Sequence, residues 1–186
     1  METTSKLYQD LDCVLINREQ IAARIKEMGE VITRDFAGKP LLCVCILKGS
    51  VVFFADLLRE IDLPTEIDFI SLSSYGAGTE SSGTVTERSG LSRDITGKHL
   101  LIVEDIVDSG RTLTHLKEKL LKTDCASVSV CTLLDKPSRR KTDLVPDYCG
   151  FTIEDAFVVG YGLDYDEKYR NLPDVGILSP RIYSEV

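Results

Sequence analysis

The sequence lacks several features that would assign the chain to a particular class of protein. No apolar run is long enough to span a bilayer, and the first residues, METTSKLYQDLD, contain no apolar signal segment. No CxxC pair occurs among the six cysteines, which argues against a structural zinc site and favours reduced, buried thiols. Acidic residues outnumber basic ones by 30 to 22, so binding to nucleic acid or to an anionic membrane is not expected. These absences predict a cytoplasmic protein.

The sequence does contain a regular alternation of strand-like and helix-like segments. Apolar runs typical of strands occur at 41–47, 65–74, 99–105, 127–134, 157–161 and 175–178. Helical patterns occur after the N-cap candidate Asn17, at 50–61 and at 111–124. This order predicts an α/β fold with a doubly wound, mostly parallel sheet. Because neither a repeat nor an interdomain linker is visible, residues 1–186 are expected to form a single domain.

One segment, HLLIVEDIVDSGRTLTHL at 99–116, combines three acids with a turn suited to an anion. Glu104 and Asp105 directly follow an apolar run, and Asp108 precedes the small-residue turn 109–112. Such a turn, at a helix N-terminus, can bind phosphate through backbone N–H groups, although an ordinary turn with a Ser or Thr cap explains it equally well. Acids beside an anion site favour magnesium between them, or sugar hydroxyls that donate hydrogen bonds to them. Solvated acids on a loop are the alternative.

The residues around this segment exclude two common nucleotide-binding motifs and resemble a third. GxxxxGK[ST] is absent, and no GxGxxG opens a helix. LLIVEDIVDSGRTL instead resembles the signature of type I phosphoribosyltransferases, which bind 5-phosphoribosyl-1-pyrophosphate. Other segments resemble the branch of that family that acts on hypoxanthine and guanine, namely LKGS (47–50), SSYG (73–76), LLDKPSRR (133–140) and FVVGYGLDYDEKYRNLPDVGIL (157–178). The resemblance covers residues 7–184 and implies the family's fold, with a small hood formed by the chain ends.

The resemblance implies roles for the acids and for the phosphate-binding segments. Glu104 and Asp105 match acids that bind the ribose hydroxyls and magnesium, and Asp164 matches a further magnesium ligand. Asp108 matches the proposed general base near N7 of the purine. The expected 5′-phosphate ligands are Ser109, Gly110, Arg111 and Thr112. The expected pyrophosphate ligands are Lys48, Gly49 and Arg170, with a cis peptide often present before the lysine.

The resemblance also implies a purine site and a closing loop. The residues expected to contact the purine are Ile106, Lys136, Phe157, Val158 and Asp164. Taken alone, Lys48 would be interpreted as a surface lysine and Phe157 as a core residue. Ser74 and Tyr75 are expected to belong to a lid that excludes water. The basic run 139–141 matches no secure family role and is predicted to be a solvated loop.

The implied reaction belongs to purine salvage. It transfers the 5-phosphoribosyl group from phosphoribosyl pyrophosphate to N9 of hypoxanthine or guanine, giving IMP or GMP and pyrophosphate, with Mg²⁺ as cofactor. The family implies a homodimer or homotetramer. A regulator of the same fold that binds nucleic acid is the first alternative, and the net charge of −8 disfavours it. An enzyme acting on another base is the second, and here xanthine remains open.

Overall fold

The computed structural model describes residues 6–74 and 85–184, which form two β-sheets with helices packed against them. The strands of the small sheet are β1 (Leu11–Ile16), β8 (Val158–Val159) and β9 (Val175–Leu178). Those of the main sheet are β2 (Leu41–Leu47), β3 (Thr65–Ser74), β4 (Val85–Ser89), β5 (His99–Val107), β6 (Ser127–Asp135) and β7 (Tyr148–Thr152). The helices are α1 (Arg18–Asp35), α2 (Val51–Glu60), α3 (Arg111–Leu120) and α4 (Pro180–Tyr183).

The main sheet has the strand order β4-β3-β2-β5-β6-β7, and only the pairing of β4 with β3 is antiparallel. The predicted α/β fold with a mostly parallel sheet is therefore confirmed. Alternate residues of β2 pack into two different clusters, which shows that helices cover both faces of this sheet. Cys43 and Cys45 contact the side of α1 and α2, whereas Leu42 and Val44 contact the side of α3.

Local signals explain where two of the helices begin and end. The side chain of Asn17 accepts a hydrogen bond from the backbone N–H of Gln20, and the Gln20 side chain accepts one from Asn17, so the predicted N-cap is a complete capping box. The prediction that α3 extends to residue 124 is wrong. It ends at Leu120, whose carbonyl oxygen accepts hydrogen bonds from both the N–H and the hydroxyl of Thr123.

The small sheet is the hood expected from the chain ends, with the strand order β1-β9-β8 and antiparallel pairing. Asp174, directly before β9, joins the hood to the start of α1, because it accepts hydrogen bonds from the Tyr8 hydroxyl and from the backbone N–H of Arg18 at 2.7 Å. The strand predicted over 157–161 is reduced to two residues. Across the described ranges, the helices are too short or too polar to cross a bilayer.

Candidate active site

The acidic pair lies inside strand β5, near its carboxyl end, rather than on the loop after it. Glu104 and Asp105 are half-buried side by side, and Asp105 accepts a hydrogen bond from the N–H of Ile106 at 2.7 Å. Burial, and next the charge of Asp105, raise the pKa of Glu104 well above its usual value. Burial likewise raises the pKa of Asp105. Two crowded carboxylates of this kind suit a cation that removes their mutual repulsion.

The turn after β5 has the conformation expected of an anion-binding turn. Gly110 adopts φ +77° and is the N-cap of α3, so no side chain caps the helix, while the Ser109 hydroxyl accepts a long hydrogen bond from the backbone N–H of Arg111 at 3.5 Å. A Cβ at Gly110 would lie 2.6 Å from Thr142 Oγ1, so space as well as conformation requires glycine. Ser109, Gly110 and Thr112 line a cavity of about 240 Å³ together with Glu104, Asp105 and Asp108. Arg111 begins α3 at the same turn.

Arg140 is largely buried and donates hydrogen bonds to the backbone of this turn. The prediction that the basic run is a solvated loop is therefore wrong for Arg140. Its side chain is only 12% exposed and pairs with Asp135. Its Nε donates to the carbonyl oxygen of Asp108 at 3.1 Å, and its Nη2 to that of Val107 at 3.4 Å. The guanidinium therefore holds the backbone on both sides of the strand end.

Arg139 is exposed, as predicted for the basic run, but it also pairs with the expected base. Its Nε lies 2.8 Å from Asp108 Oδ1, and its Nη1 lies 3.2 Å from Asp155 Oδ2. Both acids and Arg139 line a second cavity of about 330 Å³. Four of the five residues expected to contact the purine also line it, namely Ile106, Lys136, Phe157 and Val158, whereas Asp164 does not. The volume of this cavity is in the size range of small-molecule sites.

Lys136 is a buried donor in the second cavity. Its Nζ donates to the carbonyl oxygen of Ala156 at 2.5 Å and lies 3.8 Å from Asp155. Burial lowers the pKa of Lys136, whereas Asp108 and Asp155 act in the opposite direction. The cavity thus combines an ammonium group, two carboxylates and apolar walls.

Phe157 provides an aromatic wall of this cavity and is not a core residue, since 42% of it is exposed. Its ring stacks on Tyr183 of α4 with centroids 5.1 Å apart and an interplanar angle of 27°. Tyr165 meets the same ring edge-on at 5.6 Å. The hood therefore supports the ring from the side of the C-terminal helix, a contact that the sequence pattern did not indicate.

The segment after β2 lies between the acidic pair on β5 and the loop at 160–170. The Leu47–Lys48 peptide is cis. A Cβ at Gly49 would overlap the carboxylate of Asp105, and a Cβ at Gly162 would overlap the carbonyl oxygen of Gly49. These two glycines permit the loop at 160–170 and the end of β2 to approach the acidic pair closely.

The other expected pyrophosphate and metal ligands meet one another on that loop. Lys48 Nζ lies 2.9 Å from Glu167 Oε1, while Arg170 lies 3.2 Å from Glu167 and 2.8 Å from Asp164. Across 6–74 and 85–184, no three His, Cys, Asp or Glu side chains group closely enough to hold a metal alone. Ser74 ends β3, and Tyr75 lies outside the described residues.

Five residues of the site were not predicted: Arg139, Arg140, Asp155, Glu167 and Tyr183. Only the basic run of DKPSRRK, placed directly after a buried strand, offered a signal for the first two. The others lie before β8, in the loop between β8 and β9, and in α4, and only tertiary packing brings them to the site.

Comparison with known proteins gives consistent matches over nearly the whole chain. The phosphoribosyl transferase domain family model matches residues 15–166. A hypoxanthine-guanine phosphoribosyltransferase of Lactococcus lactis subsp. lactis is 49% identical over 175 residues, covering 94% of this chain and 95% of that protein. Its counterpart in Streptococcus pneumoniae is 46% identical over 178 residues, covering 96% and 99%. A crystal structure of a hypoxanthine phosphoribosyltransferase from Staphylococcus aureus has a TM-score of 0.94 and 48% identity, covering 98% of this chain and 99% of that one.

Proposed function

The chain belongs to the phosphoribosyltransferase family and, within it, to the hypoxanthine-guanine phosphoribosyltransferases, and we propose that it carries out their reaction in purine salvage. It transfers the 5-phosphoribosyl group from phosphoribosyl pyrophosphate to N9 of hypoxanthine or guanine, giving IMP or GMP and pyrophosphate. The observation that carries this proposal is the buried Lys136 donor in an aromatic-walled cavity adjoining a phosphate-type turn.

The two cavities support a ligand with a base at one end and a phosphate at the other. Both are lined by Ile106 and Asp108, so they meet at the end of β5. The first cavity includes the turn at 109–112, and the second includes Lys136 and Phe157. A nucleotide fits this arrangement, with its ribose near the acidic pair and its base beside Phe157.

Lys136 supports the choice of a 6-oxopurine over adenine. An ammonium group donates hydrogen bonds and accepts none, so it complements the exocyclic oxygen of hypoxanthine or guanine. Adenine would present an amino group, and the two donors would face each other unpaired. A buried unpaired polar group costs about 1–3 kcal/mol, which corresponds to at least a severalfold preference. Asp164 and the backbone of Val158 are proposed to contact the rest of the purine.

In the reaction, purine N9 attacks C1 of the ribose while the bond from C1 to the pyrophosphate oxygen breaks. Asp108 accepts the proton that the purine loses, and a general base of this kind contributes about 10²–10⁴-fold. Lys48, Gly49 and Arg170 bind the departing pyrophosphate, and Ser109 to Thr112 bind the 5′-phosphate. Fixing both substrates in this geometry supplies much of the remaining acceleration. Ser74 and Tyr75 are proposed to belong to a lid that excludes water.

Magnesium fits the donor set, since Glu104 and Asp105 are adjacent carboxylates that a cation would stabilise, with Asp164 as a further ligand. When bound, it would neutralise charge on the pyrophosphate. A single domain over 1–186, a cytoplasmic location and a homodimer or homotetramer are also proposed. Six free cysteines support the location.

The test is a steady-state assay of hypoxanthine, guanine, xanthine and adenine with phosphoribosyl pyrophosphate and Mg²⁺. Hypoxanthine or guanine should react, adenine should not, and chelation should abolish activity. Lys136→Ala should raise KM for the 6-oxopurine by about tenfold or more, while KM for phosphoribosyl pyrophosphate changes little. Lys26→Ala, which removes an exposed lysine of α1, is the matched control. A wild type inactive with all 6-oxopurines would contradict the proposal, and equal losses for both substrates would contradict the role of Lys136.

A further inference from the structure

Arg139 makes two contacts that the proposed reaction leaves without a role. Its guanidinium bridges Asp108 and Asp155, with Nε 2.8 Å from Asp108 Oδ1 and Nη1 3.2 Å from Asp155 Oδ2. All three side chains line the cavity assigned to the purine. The bridge therefore lies at the atoms where the purine is expected to lose its proton.

Stability does not account for this bridge. The side chains of Arg139, Asp108 and Asp155 are each about half exposed, at 52%, 45% and 50%. Ion pairs between exposed groups contribute little to folding, because water screens the charges and the long side chains lose conformational freedom. The bridge contributes little to stability but contacts Asp108, the expected base. Its effect on the position of that carboxylate is therefore the better explanation.

We propose that Arg139 is a positioning residue for the general base, an inference that rests on the proposed function. The contact engages Oδ1 of Asp108, which fixes the carboxylate rotamer and leaves Oδ2 to accept the purine proton. The planar guanidinium donates from Nε to one acid and from Nη1 to the other, so the two contacts fix each other's direction. A lysine at 139 could supply the charge but not this fork.

Asp155 connects the base to the residue that selects the purine. It lies 3.2 Å from Arg139 and 3.8 Å from Lys136, so one carboxylate anchors both cations. The order Lys136, Asp155, Arg139 and Asp108 forms a row of alternating charge along the cavity wall. Loss of Asp155 should therefore affect purine binding as well as the rate of the chemical step.

The experiment is a double-mutant cycle on the single-turnover rate, with Arg139→Gln, Asp108→Asn and the double variant. Contacting residues are commonly coupled by about tenfold in rate, so Arg139→Gln alone should lower the single-turnover rate by about tenfold. In the Asp108→Asn background the same change should have almost no effect, because the residue that it positions can no longer act as a base. Arg139→Lys should recover part of the rate, and Asp155→Asn should both lower it and raise KM for the purine.

Two measurements separate positioning from a structural role or from direct contact with substrate. Affinity for phosphoribosyl pyrophosphate and the midpoint of urea unfolding should stay as in wild type for Arg139→Gln. Arg34→Gln is the matched control, since Arg34 pairs with Asp35 on the surface of α1, away from the site.

Equal losses from Arg139→Gln with and without Asp108 would overturn the proposal, as would an unchanged rate in an otherwise active enzyme. A wild type without transfer activity would instead overturn the proposed function. An Asp108→Asn variant with the full single-turnover rate would overturn the role of Asp108 as the base, and the role of Arg139 with it.

Discussion

A single carboxylate, that of Glu167, lies between the two cations proposed to bind pyrophosphate. It contacts Lys48 at 2.9 Å and Arg170 at 3.2 Å, and these two cations, Lys48 first, lower the pKa of Glu167. Pyrophosphate carries more charge than a carboxylate and makes more hydrogen bonds, so it can displace Glu167 from both cations. The side chain of Glu167 would thus compete with phosphoribosyl pyrophosphate for binding to Lys48 and Arg170.

Glu167→Gln should therefore strengthen the binding of phosphoribosyl pyrophosphate by about two- to fivefold, the size expected for exposed ion pairs. The gain should shrink at high ionic strength, because salt screens exposed charges. Titration calorimetry at low and high salt measures both effects, with Glu30→Gln on the exposed face of α1 as the control. Weaker binding by the variant would mean that Glu167 orients Lys48 and Arg170 rather than competing with pyrophosphate.

The residues that could be predicted are those whose role follows from a local pattern. Asp108 and Gly110 stand in a segment whose spacing alone indicated acids beside an anion turn, and the structure has Gly110 at φ +77°. Arg139 and Glu167 could not be predicted, because the partners that bring them to the site, Asp108 and Lys48, lie 31 and 119 residues away in the sequence. Such contacts depend on how two loops meet, and no periodicity encodes that.

Among the strands too, those with a clear local sequence pattern could be predicted and those that depend on tertiary pairing could not. Strands β2, β5 and β6 were predictable because burial on both faces requires continuous apolar runs, as in LLCVCIL. Strands β1, β4 and β7 were missed. They lie at sheet edges and have short or polar sequences such as VTERS, so pairing with a neighbour rather than composition makes them strands.

The segment after β4 is held to β3 by one buried acid. Asp68 is 6% exposed and accepts hydrogen bonds from the backbone N–H groups of Phe69, Ser92 and Arg93 and from the Ser92 hydroxyl. Burial raises the pKa of Asp68, but these donors, led by Arg93, outweigh it, and the net pKa is lowered. The folded state therefore binds a proton at Asp68 less readily than the unfolded state does.

Asp68→Asn should lower the free energy of unfolding by about 1–3 kcal/mol near neutral pH, because an amide cannot accept from every donor. The lowered pKa gives the stabilisation its sign. The stabilisation by Asp68 is fully present above the pKa of Asp in the unfolded chain, about 3.9, and is lost as pH falls through the lower pKa of the folded state. Urea unfolding at neutral and acidic pH should thus show the difference between wild type and variant shrinking in acid, with exposed Asp124→Asn as the control. A difference independent of pH would mean that packing rather than charge stabilises this position.

At the scale of the whole molecule, the hood and the main sheet share one core. Val158 and Val175 of the hood pack in the same buried cluster as Cys43 and Leu101 of the main sheet. The Tyr161 hydroxyl binds Asp56 of α2, and Asp174 binds the start of α1. The candidate site lies between these parts, with Asp108 and Lys136 on the sheet and Phe157 on the hood.

This shared core predicts that hood and sheet unfold together. Tryptophan is absent, and five of the seven tyrosines lie in the segments that precede, connect or follow the strands of the hood. Tyrosine fluorescence therefore reports mainly on that region: Tyr8, Tyr161, Tyr165, Tyr169 and Tyr183. Far-UV circular dichroism reports on the whole protein. Both signals should change at the same urea concentration, as expected of one cooperative unit.

Asp174→Asn is the sharper form of this prediction, because Asp174 is 9% exposed and joins the hood to α1. Weakening its hydrogen bonds should cost about 1–3 kcal/mol. If the parts are coupled, the fluorescence and dichroism midpoints should fall by the same amount. Asp166→Asn, at an exposed pair in the same loop, should leave both unchanged. A fluorescence midpoint that falls while the dichroism midpoint stays would show that the hood opens alone. The site would then lose Phe157 before the sheet unfolds, and activity would disappear with the fluorescence signal.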